Sequence, residues 1–317
     1  MPQACYHYGV AVRRQFLGAL MCAAASLAQE PSAPSAPPPE KPVLVYSGKP
    51  LAVPYQCADD DMQWAGMSCS REEPCPVYLE LTSVEVAGSS LYLSGNLHSA
   101  ATTLYSILLA SSDSGKTWSE PHERIRGAGL DQIQFIDFES GWISGQILHP
   151  LPQDPFLLAT KDGGKTWRRQ ALFSETRYGS VAQFWFTSKN DGAIVLDRVQ
   201  ASDTSRYEKY ESPNGGDTWM IRETSDQDPR LRRSPPNTDW RIRADGPTQS
   251  FRIERRQGNN WAAVAAFLIR AGECKTAEQK FAEPPQEPAE DTPEQTPAPE
   301  TPATQAPPRK RPTLKRK

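Results

Sequence analysis

The residues best typed for chemistry include three turns built to one pattern. Ser111-Ser112-Asp113-Ser114-Gly115-Lys116-Thr117-Trp118 recurs as Thr160-Lys161-Asp162-Gly163-Gly164-Lys165-Thr166-Trp167, and again as Ser212-Pro213-Asn214-Gly215-Gly216-Asp217-Thr218-Trp219. A short acid or amide such as Asp113, Asp162 or Asn214 can accept backbone N–H bonds and lock a turn. Gly115, Gly164 and Gly216 supply positive φ where other residues are strained. Trp118, Trp167 and Trp219 start the next strand and offer a large apolar face. This is folding chemistry, so these residues are assigned a structural role and no catalytic one. Gly163-Gly164-Lys165-Thr166 has the look of a phosphate loop but lacks the preceding glycine and sits in a hairpin. Asp59-Asp60-Asp61 lacks the spaced ligands of a calcium loop and reads as a solvated acidic turn. Phe184-Trp185-Phe186 reads as sheet core rather than a ligand platform. No cofactor is implied.

The cysteines point to a compartment. Residues 1–28 have the form of an export signal: Arg13 and Arg14, the apolar run 16–25, then Ser26-Leu27-Ala28 at a cleavage site before Gln29. Arg13-Arg14-Gln15-Phe16-Leu17 resembles the twin-arginine motif, though Val12 and Gly18 depart from it and disulfide formation after export favours the general secretory route. Removing the signal leaves Cys57, Cys69, Cys75 and Cys274, an even number that predicts two disulfides outside the cytoplasm. Three pairings are open. Cys69–Cys75 would close a tight local loop, which leaves Cys57–Cys274 to join the ends of the domain. The cysteine spacing is not that of zinc ligands, and His98, His122 and His149 are scattered, so no metal site is predicted.

The elements that must position these turns follow from their spacing. Asp113 to Asp162 is 49 residues and Asp162 to Asn214 is 52, the period of a four-stranded sheet unit. Apolar strands precede each turn at Ile107–Ala110, Phe156–Ala159 and Tyr207–Tyr210. Earlier pairs sit at Val84–Val86 with Leu91–Gly95, Ile133–Phe138 with Trp142–Gly145, and Phe184–Phe186 with Ala193–Leu196. A degenerate fourth unit runs through Trp240–Arg243, Phe251–Arg255, the turn Gln257-Gly258-Asn259-Asn260 and Trp261–Ile269. Its turn has lost the Asp but keeps a Gly and a following Trp.

The pattern Ser-x-Asp-x-Gly-x-Thr-Trp resembles the Asp-box, or BNR repeat, of sialidases, sortilin-type receptors and exported β-propellers. The stretch Phe135–Trp142 followed by Ala159–Trp167 is similar to the photosystem II assembly and stability factor group. That resemblance implies a non-catalytic, exported, chaperone-like binding protein, and the photosynthetic role is not carried over. The fold class expected is all-β: a β-propeller of about four recognisable four-stranded blades, with residues 43–77 open as a partial fifth. Sialidase-like chemistry would need an arginine cluster and a tyrosine paired with a glutamate. Arg124, Arg126, Arg198 and Arg243 and the tyrosines Tyr207 and Tyr210 form no recognisable constellation, so a divergent glycoside hydrolase is the alternative reading.

Composition sets the boundaries. Segments 29–42 and 276–317 hold 16 of the 30 prolines, a density no packed core tolerates. The expected organisation is a signal peptide (1–28), a Pro-rich linker (29–42), the propeller (43–275) and a disordered tail (276–317). A net charge of −3 excludes a globally basic nucleic-acid binder. The last nine residues nevertheless carry six positive charges, suited to an anionic envelope surface. The reading is an exported, non-catalytic propeller in the periplasm or outside the cell. It binds a protein or glycan on one face, as an envelope assembly or scaffold factor, with no specific nucleic acid and no transmembrane segment after signal removal.

Overall fold

The computed structural model describes residues 42–198, 205–231 and 239–276; the expected signal peptide, most of the Pro-rich linker and the tail beyond Thr276 lie outside them. Among the described residues there is one short helix, α1 (Asp59–Trp64), and otherwise strands. In chain order these are β1 (Leu44–Val45), β2 (Cys75–Ala87), β3 (Ser90–His98), β4 (Thr103–Ser111), β5 (Thr117–Trp118), β6 (Ala128–Phe135), β7 (Gly141–Ile147), β8 (Gln153–Thr160) and β9 (Arg168–Ala171). They continue as β10 (Ser180–Phe186), β11 (Gly192–Asp197), β12 (Tyr207–Ser212), β13 (Met220–Ser225), β14 (Trp240–Asp245), β15 (Ser250–Gln257), β16 (Asn260–Leu268) and β17 (Arg270–Cys274).

Each sheet is an antiparallel meander of consecutive strands. The first is β2-β3-β4 with β17 added outside β2, the second β6-β7-β8-β9, the third β10-β11-β12-β13 and the fourth β14-β15-β16. Sheets succeeding one another along the chain and packing face to face make this an all-β propeller. Burial follows each strand's position. In β3, flanked on both faces, Leu91 to Leu97 are buried without a break. In β12 burial alternates strictly, with Glu208, Tyr210 and Ser212 inward and Tyr207, Lys209 and Glu211 outward.

Three hydrophobic seams hold the sheets. Tyr92, Leu108, Leu130, Ile133 and Trp167 join the first to the second. Trp142, Leu157, Phe184, Phe186, Leu196 and Tyr210 join the second to the third, with Trp142 stacked on Phe186 at 3.8 Å. Ile253, Ala265 and Phe267 of the fourth sheet share a core with Leu79 and Leu93 of the first and with Trp118 of β5. No such cluster joins the third sheet to the fourth among the described residues.

Residues 43–77 form no fifth blade, only a two-stranded β1-β5 pairing. β1 pairs with β5, and Leu51 bridges in parallel to Phe267, so this segment straps the first sheet to the fourth. A disulfide links Cys57 to Cys274 in β17, and a second links Cys69 to Cys75. Two further expectations are corrected. Asp59-Asp60-Asp61 is not a solvated turn but part of α1. Its Asp61 is 3% exposed, accepts from the Tyr105 hydroxyl, and pairs with Arg126 at 3.0 Å. The Gly258-Asn259 turn is not the counterpart of the three repeated turns, because it joins the second and third strands of its sheet rather than the third and fourth.

Candidate functional site

The three repeated turns consume their own polar groups. Asp113 Oδ1 accepts from Ser111 Oγ (2.9 Å), Lys116 N (3.0 Å) and Thr117 N (2.8 Å), and Oδ2 accepts from Thr117 Oγ1 (2.7 Å). Asp162 repeats this with Thr160 and Thr166. Asn214 keeps the geometry by exchanging roles: its Oδ1 accepts from Ser212 Oγ and Thr218 N, while Nδ2 donates to Thr218 Oγ1 at 3.0 Å. Each tryptophan donates its indole N–H to the glycine three residues before it: Trp118 to Gly115, Trp167 to Gly164 and Trp219 to Gly216. The Thr117 N–H and hydroxyl hold the Asp113 carboxyl down at about 2.

The turns also lock neighbouring sheets. The Tyr92 hydroxyl in β3 donates to the Gly163 carbonyl of the second sheet's turn. Trp142 Nε1 in β7 donates to the Gly215 carbonyl of the third sheet's turn at 3.0 Å. Gly164 presses so closely on Tyr92 that a Cβ there would stand 2.5 Å from the phenol oxygen. Gly115 would meet Val264 of the fourth sheet at 2.6 Å. These glycines are therefore required by stacking as well as by their positive φ.

One cluster has the residue types of glycosidase chemistry. Glu208 of β12 accepts from Arg177 Nη2 (2.8 Å), Arg198 Nη1 (2.6 Å) and the Tyr210 hydroxyl (2.7 Å). Burial alone raises the Glu208 pKa, but the Tyr210 hydroxyl, Arg198 and Arg177 together hold it below the usual range. Burial and the Glu208 carboxylate push the Tyr210 phenol up, opposite to what a nucleophile needs. Tyr210 is only 5% exposed, and the two arginines spend these donors on Glu208 instead of offering them to a substrate. The cluster fastens β12 to the loops around it. Of the other arginines and tyrosines, Arg124 pairs with Glu120 at 2.5 Å, Arg126 joins α1, and Arg206 stacks on Tyr207.

The outward face of the third sheet is different. Strand register gives its equivalents in the sheets before it. Tyr92 lies between Glu85 and Ala110, Trp142 between Gln134 and Ala159, and Ala193 between Trp185 and Glu211. One step along, Ser94 faces Leu108, Ser144 faces Leu157, and Val195 faces Lys209. The donor that grips the next sheet's turn is thus absent at Ala193, and apolar Leu and Ala give way to Lys209 and Glu211. Glu211 pairs with Lys209 and Arg222, each at 3.2 Å. Beside them is a cavity of about 570 Å³ lined by Trp185, Ala193, Lys209, Glu211, Arg222 and Arg230. Gln183 anchors the chain leaving β13 through Asp228 (2.7 Å) and Leu231 (3.3 Å). Phe184 and Phe186 are buried in the seam with the second sheet, whereas Trp185 points the other way, into this cavity. Alternation within the strand could have separated the three aromatics; treating them as one unit concealed it. The outer face of the fourth sheet is also charged: Arg241 and Arg252 pair with Glu254, and Arg241 lies 4.1 Å over Trp261.

Among the described residues no three His, Cys, Asp or Glu side chains gather to hold a metal ion, and no helix is long and apolar enough to cross a membrane.

No protein-family model matches the chain, and no curated protein matches it. Among solved structures it is similar to YCF48 bound to D1 peptide, with 17% identity and a TM-score of 0.36 over 61% of this chain and 54% of that one. It is also similar to YCF48 from Cyanidioschyzon merolae (18%, 0.32, over 65% and 59%). A third is the Penicillium chrysogenum alpha-L-arabinanase complexed with arabinobiose (13%, 0.32, over 71% and 66%). The chain spans a little over half the length of the two YCF48 structures.

Proposed function

We propose that this chain is an exported, non-catalytic propeller of the Asp-box group that seats a polypeptide segment of a partner on the outward face of its third sheet. One observation carries the reading. On the first two sheets the corresponding seat is filled by a glycine turn gripped through its carbonyl by Tyr92 or Trp142. On the third sheet no turn among the described residues covers it, and Trp185, Lys209, Glu211 and Arg222 line it beside Arg230 and Leu231 of the chain leaving β13. A seat shaped for a turn fits polypeptide better than glycan, and its charged rim suits reversible binding better than permanent core packing. The two disulfides support an oxidising compartment. This placement and the basic residues 309–317 support reading it as an envelope assembly or scaffold factor.

The test places a photo-crosslinking residue at Ala193 in the full chain, expressed in its own host. A discrete adduct that disappears with Trp185→Ala or Lys209→Glu is expected. Adducts no more frequent than those from the exposed Phe138 would overturn the reading. Turnover of a sialoside or arabinan abolished by Glu208→Gln would replace it with the hydrolase.

A further inference from the structure

A second cleft opens between the first and second sheets, at the end opposite the repeated turns. It is a cavity of about 330 Å³ whose lining includes Glu80, Asn96, His98, Thr102 and His149. Asn96 is 5% exposed; its Nδ2 donates to Glu80 Oε2 at 2.9 Å, and its Oδ1 is buried without a partner. An orphaned buried acceptor costs stability unless something supplies a donor. His98 turns Nδ1 to the Ser99 carbonyl at 2.9 Å, which makes Nδ1 the donor. Asp131 lies beside the cleft. Its carboxyl is pushed up by burial, held back by the Gln146 donor at 2.7 Å, and pushed further by the Glu80 charge. Neither Glu80 nor Asp131 has a cationic partner among the described residues.

The groups left to meet a ligand are one-sided: the Glu80 carboxylate, with the Asp131 carboxyl beside it, and the Asn96 carbonyl all accept, while Thr102 and His149 bond each other at 2.8 Å. A hard metal ion would need more oxygen ligands than gather here. Sugar hydroxyls would leave the negative charge unanswered. We propose that this cleft binds a guanidinium or ammonium group presented by a polypeptide side chain, with Glu80 as counter-charge and the Asn96 carbonyl as the buried acceptor. The site is separate from the third-sheet face and does not depend on its role. Two sources supply that chemistry. One is the chain's own end, residues 309–317, with six Lys and Arg. It is joined to Thr276 by 32 residues (277–308), a span of at most about 120 Å. The other is a basic segment of a partner.

The test titrates the oxidised full-length chain with a synthetic peptide of residues 309–317, by calorimetry and by the ring-proton shifts of His98 and His149. Binding is expected with this peptide and not with its analogue carrying Gln at every Lys and Arg. Glu80→Gln, at an exposed position, should weaken binding about tenfold, while Glu123→Gln, at an exposed acid elsewhere, leaves it unchanged. Equal affinity in Glu80→Gln, an equal effect of Glu123→Gln, or unmoved His98 resonances overturn the proposal. So does Ca²⁺ binding more tightly than the peptide. A chain with its own six basic end residues changed to Gln separates the sources. Several-fold tighter peptide binding than in the intact chain identifies the chain's own end, and equal binding identifies a partner.

Discussion

Replacing Gly164 by alanine separates two reasons for keeping a glycine in a repeated turn. Its φ is +78°, and holding an L-residue there costs about 1–2 kcal/mol. A Cβ would also stand 2.5 Å from the Tyr92 hydroxyl oxygen and 2.6 Å from its ring. Tyr92 has little room to withdraw. It is 3% exposed, stacked on Phe135 at 4.9 Å, and fixed by its bond to the Gly163 carbonyl. Displacing it forfeits that bond, about 1 kcal/mol, and strains the packing by about 1–3 kcal/mol. The expected loss is therefore roughly 3–6 kcal/mol. Gly258 is the control, with φ +60° and nothing within 4 Å of its added Cβ, so Gly258→Ala carries only the backbone cost. Urea unfolding of the oxidised variants measures both. In the double variant with Tyr92→Ala, Gly164→Ala should cost less than it does alone, because the clash is gone. If both glycine variants lose equal stability, or Tyr92→Ala leaves the Gly164 cost unchanged, the stacking argument is wrong.

Other consequences are smaller or more local. Asp113→Asn should cost under about 1 kcal/mol and Asp113→Ala about 2 kcal/mol, because Asn214 already does the same task; equal losses in urea unfolding would contradict this. The Asp113 carboxyl is held down at about 2, so its contribution is complete above the ordinary carboxylate range and fades as pH falls through about 2. Stability curves of Asp113→Asn should lack that acid limb. Cysteines 57 and 274 are 217 residues apart and 69 and 75 only 6. Loop-closure entropy assigns the long bridge about 5 kcal/mol against about 2 for the short one, so Cys57→Ser with Cys274→Ser should lower Tm more than Cys69→Ser with Cys75→Ser. Lys209→Leu with Glu211→Ala restores the residue types of Leu157 and Ala159 to the uncovered face. Self-association in sedimentation velocity is expected, and a chain as monodisperse as the parent would refute the capping role of these charges.

The three turns were legible because everything they need is local: a hydroxyl, an acid or amide two residues on, a glycine and a tryptophan. The fourth unit misled for the same reason. Gly258 and Trp261 keep the glycine–tryptophan spacing, but Glu254 and Arg256 stand where the hydroxyl and acid belong. Without those groups the glycine only closes the β15–β16 hairpin. Pairings such as Leu51 with Phe267, or β17 with β2, join positions about 200 residues apart and leave no local periodicity to detect. The uncovered face did leave a signal. Leu108 and Leu157 lie five residues before their aspartates, where Lys209 precedes Asn214; Ala110 and Ala159 lie three before, where Glu211 stands. A charged alternation reads as an ordinary solvated face until the sheets on either side are known.

The placement of strong and weak seams has a consequence for function. Repeat architectures end in units whose outer face is polar, because an apolar face with no successor invites association. Here the third sheet carries that polar face although a fourth sheet follows it in the chain. The fourth sheet instead packs on the first, where the Leu51 strap reinforces the seam and the Cys57–Cys274 bridge ties down the same segment and β17. Segment 231–239 is then the covalent link across an interval that no hydrophobic cluster among the described residues fills. Separation of two sheets costs least where they share least buried surface, and among the described residues the third and fourth sheets are the successive pair that shares no hydrophobic cluster. On the proposed function, a partner segment seated against Trp185 and Lys209 would bind at that edge without breaking any of the three apolar seams on which the fold depends.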